Sequence, residues 1–245
     1  MSLHADRTVI HWQAPDPYRI VFSMRLGGVS EGPFASLNLG LLTDDEPDRV
    51  LENRRRLCEA AGVDGAGAAM ARQIHGASVL EAKPRGILAP AAHPSCDGLW
   101  TDRPGLALAV VTADCLPIAL WRTGGIPGIA VLHAGWKGIL AGIVEAGAAA
   151  LGDGPLGAVV GPGIGACCYE VGEEVAGRYR VRFGDGVVRG RSLDLRAAAE
   201  LALREAGCTS VEHGDRCTAC EPELFFSHRR DGGHTGRQGV IAHVA

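Results

Sequence analysis

The chain has 245 residues, of which 47% are hydrophobic and 21% charged, and its 24 Lys and Arg against 28 Asp and Glu leave a net charge of −4. This apolar content excludes a disordered chain, and the absence of a basic excess argues against a dedicated nucleic-acid-binding protein, which must neutralise phosphates. The eight cysteines are too few for a disulfide-stapled scaffold, whereas the 35 glycines are about twice the usual share.

The N-terminal sequence predicts no export or membrane segment. The first twelve residues lack the basic region and following apolar segment of a secretory signal peptide. The clearest apolar run, residues 106–111, is far shorter than the ~20 residues that cross a membrane. We therefore expect a cytoplasmic protein whose cysteines are reduced.

The first clear element in chain order is a helix over residues 48–61, which Gly62 ends. Three apolar strands follow, over residues 106–111, 128–132 and 158–160. The helices predicted after residue 136 and near residues 172–179 and 194–206 are interspersed with these strands. This alternation predicts the α+β class, with one layered domain over residues 1–245 in which helices flank a mixed β-sheet.

Polar residues interrupt the apolar pattern in three segments, residues 73–76, 112–117 and 133–138. The second and third segments each come directly after an apolar strand, where the loops of α/β proteins collect ligand-binding groups. If these two strands are neighbours in a sheet, Cys115 and His133 lie within reach of each other.

His75, Cys115 and His133 are therefore the candidate reactive residues. Thiolate and imidazole suit zinc, and three protein ligands leave a fourth position open for water or substrate, as in catalytic zinc sites. The same residue types also fit a Cys115 nucleophile with His75 or His133 as its base. Residue type and spacing leave both interpretations open.

Ten ordered segments resemble the YfiH-like family, also called the laccase-domain, polyphenol-oxidase-like or peptidoglycan editing factor family. They run from residue 22 to residue 237 and include FSMRLGGVS (22–30), SLNLG (36–40), QIHG (73–76), CDG (96–98), ADC (113–115), HAGWKG (133–138), GPGIG (161–165), YEV (169–171), FSHRRD (226–231) and TGR (235–237). The sequence departs from the family at Lys137, where Arg is usual, and at His228, where Tyr is usual.

The resemblance implies one zinc ion held by His75, Cys115 and His133. It also implies a purine nucleoside phosphorylase that acts on adenosine, inosine, guanosine and methylthioadenosine and that deaminates adenosine. The expected partners are thus purine nucleosides and phosphate, with neither nucleic acid nor membrane; the oligomeric state is left open.

Further residues fit this reaction. Arg25 and Arg229 are candidates for holding phosphate, which a guanidinium binds through two parallel hydrogen bonds. Asn38 is a candidate substrate ligand, although it also fits a turn. Asp114 could orient a zinc ligand, carry a proton or pair with an arginine, and Asp97 fits a turn.

Two other functions remain open at this point. The first is copper-dependent phenol oxidation, but none of the nine histidines is two residues from another, whereas multicopper sites use His-x-His pairs. Copper in place of zinc at the His75–Cys115–His133 site is a narrower alternative. The second is a cysteine-dependent hydrolase or peptidoglycan-precursor editing factor. The pair Cys167–Cys168 and the Cys217-x-x-Cys220 motif are weak signals on their own, and we expect no role for them.

Overall fold

The computed structural model describes residues 8–89 and 93–245. Residues 1–7, most of the N-terminal segment for which no signal peptide is predicted, lie outside the described residues. Five α-helices occur in the described ranges: α1 (Pro47–Ala61), α2 (Trp136–Ala141), α3 (Ile143–Leu151), α4 (Glu173–Phe183) and α5 (Leu195–Glu205). None of them is both long and apolar enough to cross a membrane.

Thirteen strands occur in the same ranges. They are β1 (Val9–Trp12), β2 (Tyr18–Ser23), β3 (Ala69–Met70), β4 (Val79–Glu81), β5 (Gly98–Thr101), β6 (Leu108–Thr112), β7 (Leu116–Arg122), β8 (Ile129–Ala134), β9 (Leu156–Val160), β10 (Val188–Arg189), β11 (Ser192–Leu193), β12 (Cys208–His213) and β13 (Gln238–Val244).

The strands form two main sheets and a short β10–β11 hairpin. One sheet has five strands in the order β1-β2-β13-β6-β3, and the other has six in the order β12-β9-β7-β8-β5-β4. Both are mixed, because β3–β6, β4–β5 and β9–β12 pair in parallel while the other neighbours are antiparallel. The predicted α+β class with mixed sheet flanked by helices is confirmed, and the strands are divided between two sheets.

Three apolar cores separate the layers. The first lies between the two sheets, where residues such as Phe22 and Val110 face Trp121 and Val131. The second packs α2 to α5 against the outer face of the six-stranded sheet. The third packs α1 against the outer face of the five-stranded sheet. Since both faces of both sheets are covered, their central strands are mostly apolar.

The predicted helices are all present, with one interruption. Helix α1 starts one residue before its predicted start and ends at Gly62, whose φ of 68° is left-handed. The predicted helix after residue 136 is two helices, α2 and α3, because Gly142 between them has a φ of 91°. A left-handed residue stops the helical hydrogen-bond pattern, and glycine adopts this conformation without steric cost.

The strands that position the candidate site differ from the prediction in two ways. Residues 116–122 form β7, a strand that is not among the predicted elements, so Cys115 precedes a strand. His133 was expected just after a strand, but β8 continues through it to Ala134. The pairing of β8 with β7 accounts for this, because Pro117 is opposite His133 and Leu116 is opposite Ala134.

Candidate metal centre

His75, Cys115 and His133 come together at one end of the six-stranded sheet. Their potential ligand atoms, the imidazole nitrogens and the thiol sulfur, lie within 4.8 Å of one another. The two imidazole rings are 4.8 Å apart between centroids and meet edge to face at 78°. Burial increases from the exposed His75 through Cys115 to the buried His133, so the cluster opens to solvent on the His75 side.

The antiparallel pairing of β7 with β8 brings Cys115 to His133. Cys115 comes directly before β7, and the register places the start of that strand opposite the end of β8. The two residues are close together as expected, but the predicted reason, that the strands over residues 106–111 and 128–132 are neighbours in one sheet, is wrong. The underlying pair is β7 and β8, because β6, the strand before Cys115, belongs to the other sheet.

Asp97, which directly precedes β5 and is fully buried, supports the two candidate histidine ligands, His75 and His133. Its Oδ1 accepts hydrogen bonds from His133 Nδ1 and from the backbone N–H of His75, both at 2.8 Å. Its Oδ2 accepts from the N–H groups of Ile74 and Gly76 at 3.1 and 2.7 Å. The carboxylate thus holds the loop of His75, whose φ is 60°, and leaves Nε2 of His133 for a metal.

Gln73 ties the His75 loop to the strand that leads to Cys115. Its side-chain amide donates to the carbonyl of Val111 at 2.6 Å, and its amide oxygen accepts from the N–H of Val111 at 2.9 Å. Val111 lies in β6, four residues before Cys115. The loops that carry two of the three ligands are therefore fixed relative to each other by a paired hydrogen bond.

The electrostatics favour an ionised thiol. Burial would raise the pKa of Cys115, but the charge of His133 and hydrogen bonds to His133 and His75 lower it to about 6. Burial would likewise lower the pKa of His133, but the charge of Cys115 and the hydrogen bond to Asp97 raise it to about 9. Hydrogen bonds from His133 and Gly76 outweigh burial and lower the pKa of Asp97. A thiolate beside fixed imidazoles suits a divalent cation.

The residues present fit a zinc ion. Ligand atoms of a tetrahedral zinc site with sulfur and nitrogen donors lie about 3.3–3.8 Å apart, and those of His75, Cys115 and His133 lie within 4.8 Å of one another. Space is kept for the sulfur by Gly135, because a Cβ built there would lie 2.8 Å from Cys115 Sγ and 3.5 Å from His75 Cδ2. Three protein ligands leave one coordination position for another molecule.

Asp114, a candidate proton carrier, makes structural contacts with both of its carboxylate oxygens. Oδ1 accepts from the Thr218 hydroxyl at 2.6 Å, and Oδ2 accepts from the backbone N–H of Arg229 at 2.7 Å. Its own φ is 86°. Asp114 therefore joins the Cys115 loop to the segments that carry Thr218 and Arg229, and neither of these contacts is with a candidate metal ligand or with a guanidinium group.

The prediction that Asn38 contacts substrate is corrected by its environment. Asn38 is fully buried, and its amide nitrogen donates to Thr43 Oγ1 and Asp45 Oδ2, each at 2.9 Å. Its amide oxygen accepts from the N–H groups of Gly40 and Arg237 at 3.0 and 2.8 Å. All the hydrogen-bonding capacity of the side chain is used, so Asn38 stabilises a turn.

The two predicted phosphate-binding arginines lie in different surroundings. Arg25 donates to the carbonyls of Ala35 and Pro222, each at 2.8 Å, and stacks on Phe226 at 4.6 Å. Arg229 is exposed, stacks on the ring of Tyr169 at 5.0 Å and donates to the carbonyl of Glu170 at 2.8 Å.

Charges around the metal centre distinguish these arginines. Burial raises the pKa of Tyr169 to about 12, and the charge of Cys115 adds to this while that of Arg229 opposes it. Burial lowers the pKa of Arg237, against the charges of Cys115 and Asp114. Arg229 is joined to the Cys115 loop through its backbone N–H, which donates to Asp114 Oδ2 at 2.7 Å, whereas the charges that act on Arg25 are those of Arg230, Asp231 and Glu223.

Asp97 and Tyr169 are not among the site residues predicted from the sequence, and Arg237 is predicted only as a member of a basic cluster with Arg229 and Arg230, of which one faces the site. Asp97 had the composition of a turn, and only its contacts reveal that it supports two ligands. All three belong to the segments that carried the family resemblance, 96–98, 169–171 and 235–237. That membership was the available signal.

Comparisons with known proteins agree with the resemblance. Residues 19–245 match a family model described as multi-copper polyphenol oxidoreductase laccase. A protein named purine nucleoside phosphorylase from Pseudomonas aeruginosa is 38% identical and aligns with 92% of this chain and 93% of its own length. One from Escherichia coli, named purine nucleoside phosphorylase YfiH, is 37% identical over 91% of this chain and 93% of its own. The crystal structure of YlmD from Geobacillus stearothermophilus superposes with a TM-score of 0.91 at 33% identity, covering 98% of this chain and 97% of that one.

Proposed function

The chain belongs to the family described as multi-copper polyphenol oxidoreductase laccase, and we propose that within it this protein is a zinc-dependent purine nucleoside phosphorylase with adenosine deaminase activity. The observation that carries the proposal is the set of His75, Cys115 and His133, preorganised by Asp97 and open on one side. The names of the relatives supply the reaction, and this ligand set supports the metal.

Phosphorolysis requires an anion site next to a nucleoside. A phosphate oxygen forms a bond to C1′ of the ribose while the bond from C1′ to the base nitrogen breaks, so that the base leaves and ribose 1-phosphate forms. We assign phosphate binding to Arg229, whose bond to Glu170 uses one of its five N–H donors. Arg237 supplies a second positive charge, on whose pKa the charges of Cys115 and Asp114 act. Arg25 was the other predicted residue, and its carbonyl contacts support a structural role.

The metal ligands serve both reactions through one Lewis-acid site. A zinc ion bound there would polarise a substrate group or a water molecule. The chain's own contribution is positional: Asp97 fixes the ligands, and Asp114 fixes the backbone of Arg229. In deamination, water adds at C6 of adenosine and ammonia leaves, without any need for phosphate, so the two activities depend differently on Arg229.

Copper-dependent phenol oxidation is the function that the family description suggests, and the chain's residues do not fit it. A multicopper site needs many clustered histidines, whereas the metal-ligand groups in residues 8–89 and 93–245 are His75–Cys115–His133 and a set of four cysteines. A single copper ion could compete for the His/Cys/His ligands, since Cu²⁺ binds such donors more tightly than zinc does.

A cysteine-dependent hydrolase is the second candidate, because the lowered pKa of Cys115 also suits a nucleophile.

We propose further that the protein is cytoplasmic. We also propose that residues 1–245 act as one domain, since the candidate metal ligands come from elements packed on shared cores.

The test uses protein whose zinc content has been measured. With inosine and phosphate, we expect equal amounts of hypoxanthine and ribose 1-phosphate, and with adenosine we expect inosine. Both activities should disappear in Cys115→Ser. They should also disappear when the wild type is treated with a chelator, and should return when zinc is added back to it. Zinc-loaded protein that releases no base from inosine would refute the proposal. Base release that survives chelation but not Cys115→Ser would instead support the hydrolase.

A further inference from the structure

Four cysteines outside the candidate active site come together although they belong to two segments about fifty residues apart in sequence. Cys167 and Cys168 lie between β9 and α4, and Cys217 and Cys220 lie between β12 and β13. Their sulfur atoms are all within 4.8 Å of one another. The Sγ atom of Cys220 is 3.5 Å from that of Cys167 and 3.3 Å from that of Cys168.

We propose that these four cysteines form a second zinc site, in which all four ligands are thiolates. In a tetrahedral zinc site with Zn–S bonds of ~2.3 Å, the sulfurs are about 3.8 Å apart, close to the separations in this cluster. A disulfide would require ~2.05 Å. Because every coordination position is taken by the protein, such an ion stabilises structure and has no position for substrate.

A single ion is favoured over an iron–sulfur cluster. In such a cluster the cysteines bind different iron atoms, which spreads their sulfurs further apart than ligands of one ion. The burial of the four residues also suits a small surface site. Cys167 and Cys220 are exposed and Cys168 and Cys217 are half-buried, so a metal ion can enter from solvent.

The backbone around the cluster is already arranged as a metal-binding loop. The N–H of Gly165 donates to Cys217 Sγ at 3.2 Å, a contact that stabilises a thiolate ligand. The N–H of Cys220 donates to the carbonyl of Cys217 at 3.2 Å, which closes the Cys-x-x-Cys turn. Gly163 pairs with Cys217 in a parallel bridge, so the two cysteine-bearing segments run side by side.

The cluster adjoins the proposed active site through both segments. Thr218, between the two ligands of the Cys-x-x-Cys turn, donates to Asp114, which precedes Cys115. Tyr169 follows Cys168 directly, and the guanidinium group of Arg229 stacks on its ring. A zinc ion that joins these segments would therefore fix the position of Tyr169, on which Arg229, the proposed phosphate-binding residue, stacks. This consequence rests on the proposed function, whereas the metal binding does not.

Zinc content per chain tests the proposal. Protein purified with zinc under reducing conditions and exchanged into buffer with a weak chelator should hold two equivalents in the wild type and one in Cys220→Ser. Cys220→His should restore the second equivalent, because imidazole also binds zinc. Cys58→Ala, which removes a buried thiol on α1, should keep both. A Cys220→Ser protein with as much zinc as the wild type would overturn the proposal.

Two further measurements keep the test independent of the catalytic centre. Cys115→Ser should lose the other equivalent and keep the one at the four cysteines, whatever its enzymatic activity. Cobalt bound to this variant should give the strong thiolate-to-cobalt absorption of a tetrathiolate site, and Cys220→Ser should weaken that band. If the wild type has only one zinc and two fewer titratable thiols than its eight cysteines provide, the cluster contains a disulfide. Bound iron with acid-labile sulfide would indicate an iron–sulfur cluster. Either result contradicts the proposal.

Discussion

The carboxylate of Asp97 accepts a hydrogen bond from His133 Nδ1 at 2.8 Å and, through the same oxygen, one from the backbone N–H of His75 at 2.8 Å. One buried side chain therefore sets the orientation of two candidate metal ligands that are 58 residues apart. A metal-binding histidine whose second nitrogen is held by a carboxylate has a fixed ring and greater basicity.

Asp97→Asn should weaken zinc binding at this centre by roughly 10–100-fold, as is typical when such a supporting partner is changed. The amide can accept through one oxygen, but its NH₂ group faces N–H donors that the carboxylate had satisfied. Competition with a chromophoric chelator measures the affinity. Asp102→Asn, at an exposed aspartate, is the matched control and should bind zinc like the wild type.

Gly135→Ala should lower zinc affinity by roughly tenfold or more, since the added methyl would lie 2.8 Å from Cys115 Sγ and overpacking costs about 1–3 kcal/mol. The φ of Gly135 is −85°, so alanine fits the backbone and the effect reports on the sulfur. Gly177→Ala, where nothing lies within 4 Å, serves as the control. Unchanged zinc affinity in Gly135→Ala would mean that Cys115 is not a ligand.

In zinc-free protein, alkylation of Cys115 should be half-maximal near pH 6, because its thiol pKa is lowered to about 6 from an ordinary value of 9.0. The reactive form is the thiolate, so the rate rises with pH through this value and then levels off. Asp97→Asn should shift the midpoint upward, since it removes a charge that keeps His133 protonated. Mass spectrometry of the labelled peptide gives the rates, and a midpoint near 9 would contradict the thiolate–imidazolium pair.

Arg229→Ala should raise the KM for phosphate by roughly 10–100-fold, corresponding to the loss of about 1.5–3 kcal/mol from a charge-assisted hydrogen bond. Adenosine deamination, which uses no phosphate, should keep its rate, and Arg229→Lys should recover only part of the phosphorolysis. Arg19→Ala, at an exposed pair with Asp16, is the control. If both activities fall equally, Arg229 supports the fold and does not bind phosphate.

Asn38→Ala should destabilise the protein by roughly 2–4 kcal/mol, because it leaves buried partners such as the N–H of Arg237 without their acceptor. Urea unfolding measures this loss. Below the unfolding range, the KM values for nucleoside and phosphate should stay within about twofold of the wild type, since such a change corresponds to under 0.5 kcal/mol. A large increase in either KM with unchanged stability would restore Asn38 as a substrate ligand.

The amino-acid sequence was enough to predict the elements with strong local signals and to propose a chemistry for the main site. Helix α1 with its stop at Gly62 and the buried strand β9 follow from periodicity and backbone preference, which are local properties. The types of the three candidate ligands were also evident, because thiol and imidazole are rare groups with defined metal preferences.

Which distant residues meet follows from the packed fold and not from the local sequence. The division of the strands into two sheets, the support of two ligands by Asp97 and the saturation of Asn38 depend on pairings between segments far apart in the chain. The same holds for the convergence of Cys167–Cys168 with Cys217 and Cys220. Local sequence carries no information on such contacts, because strand register and layer packing arise from the burial of all apolar faces together.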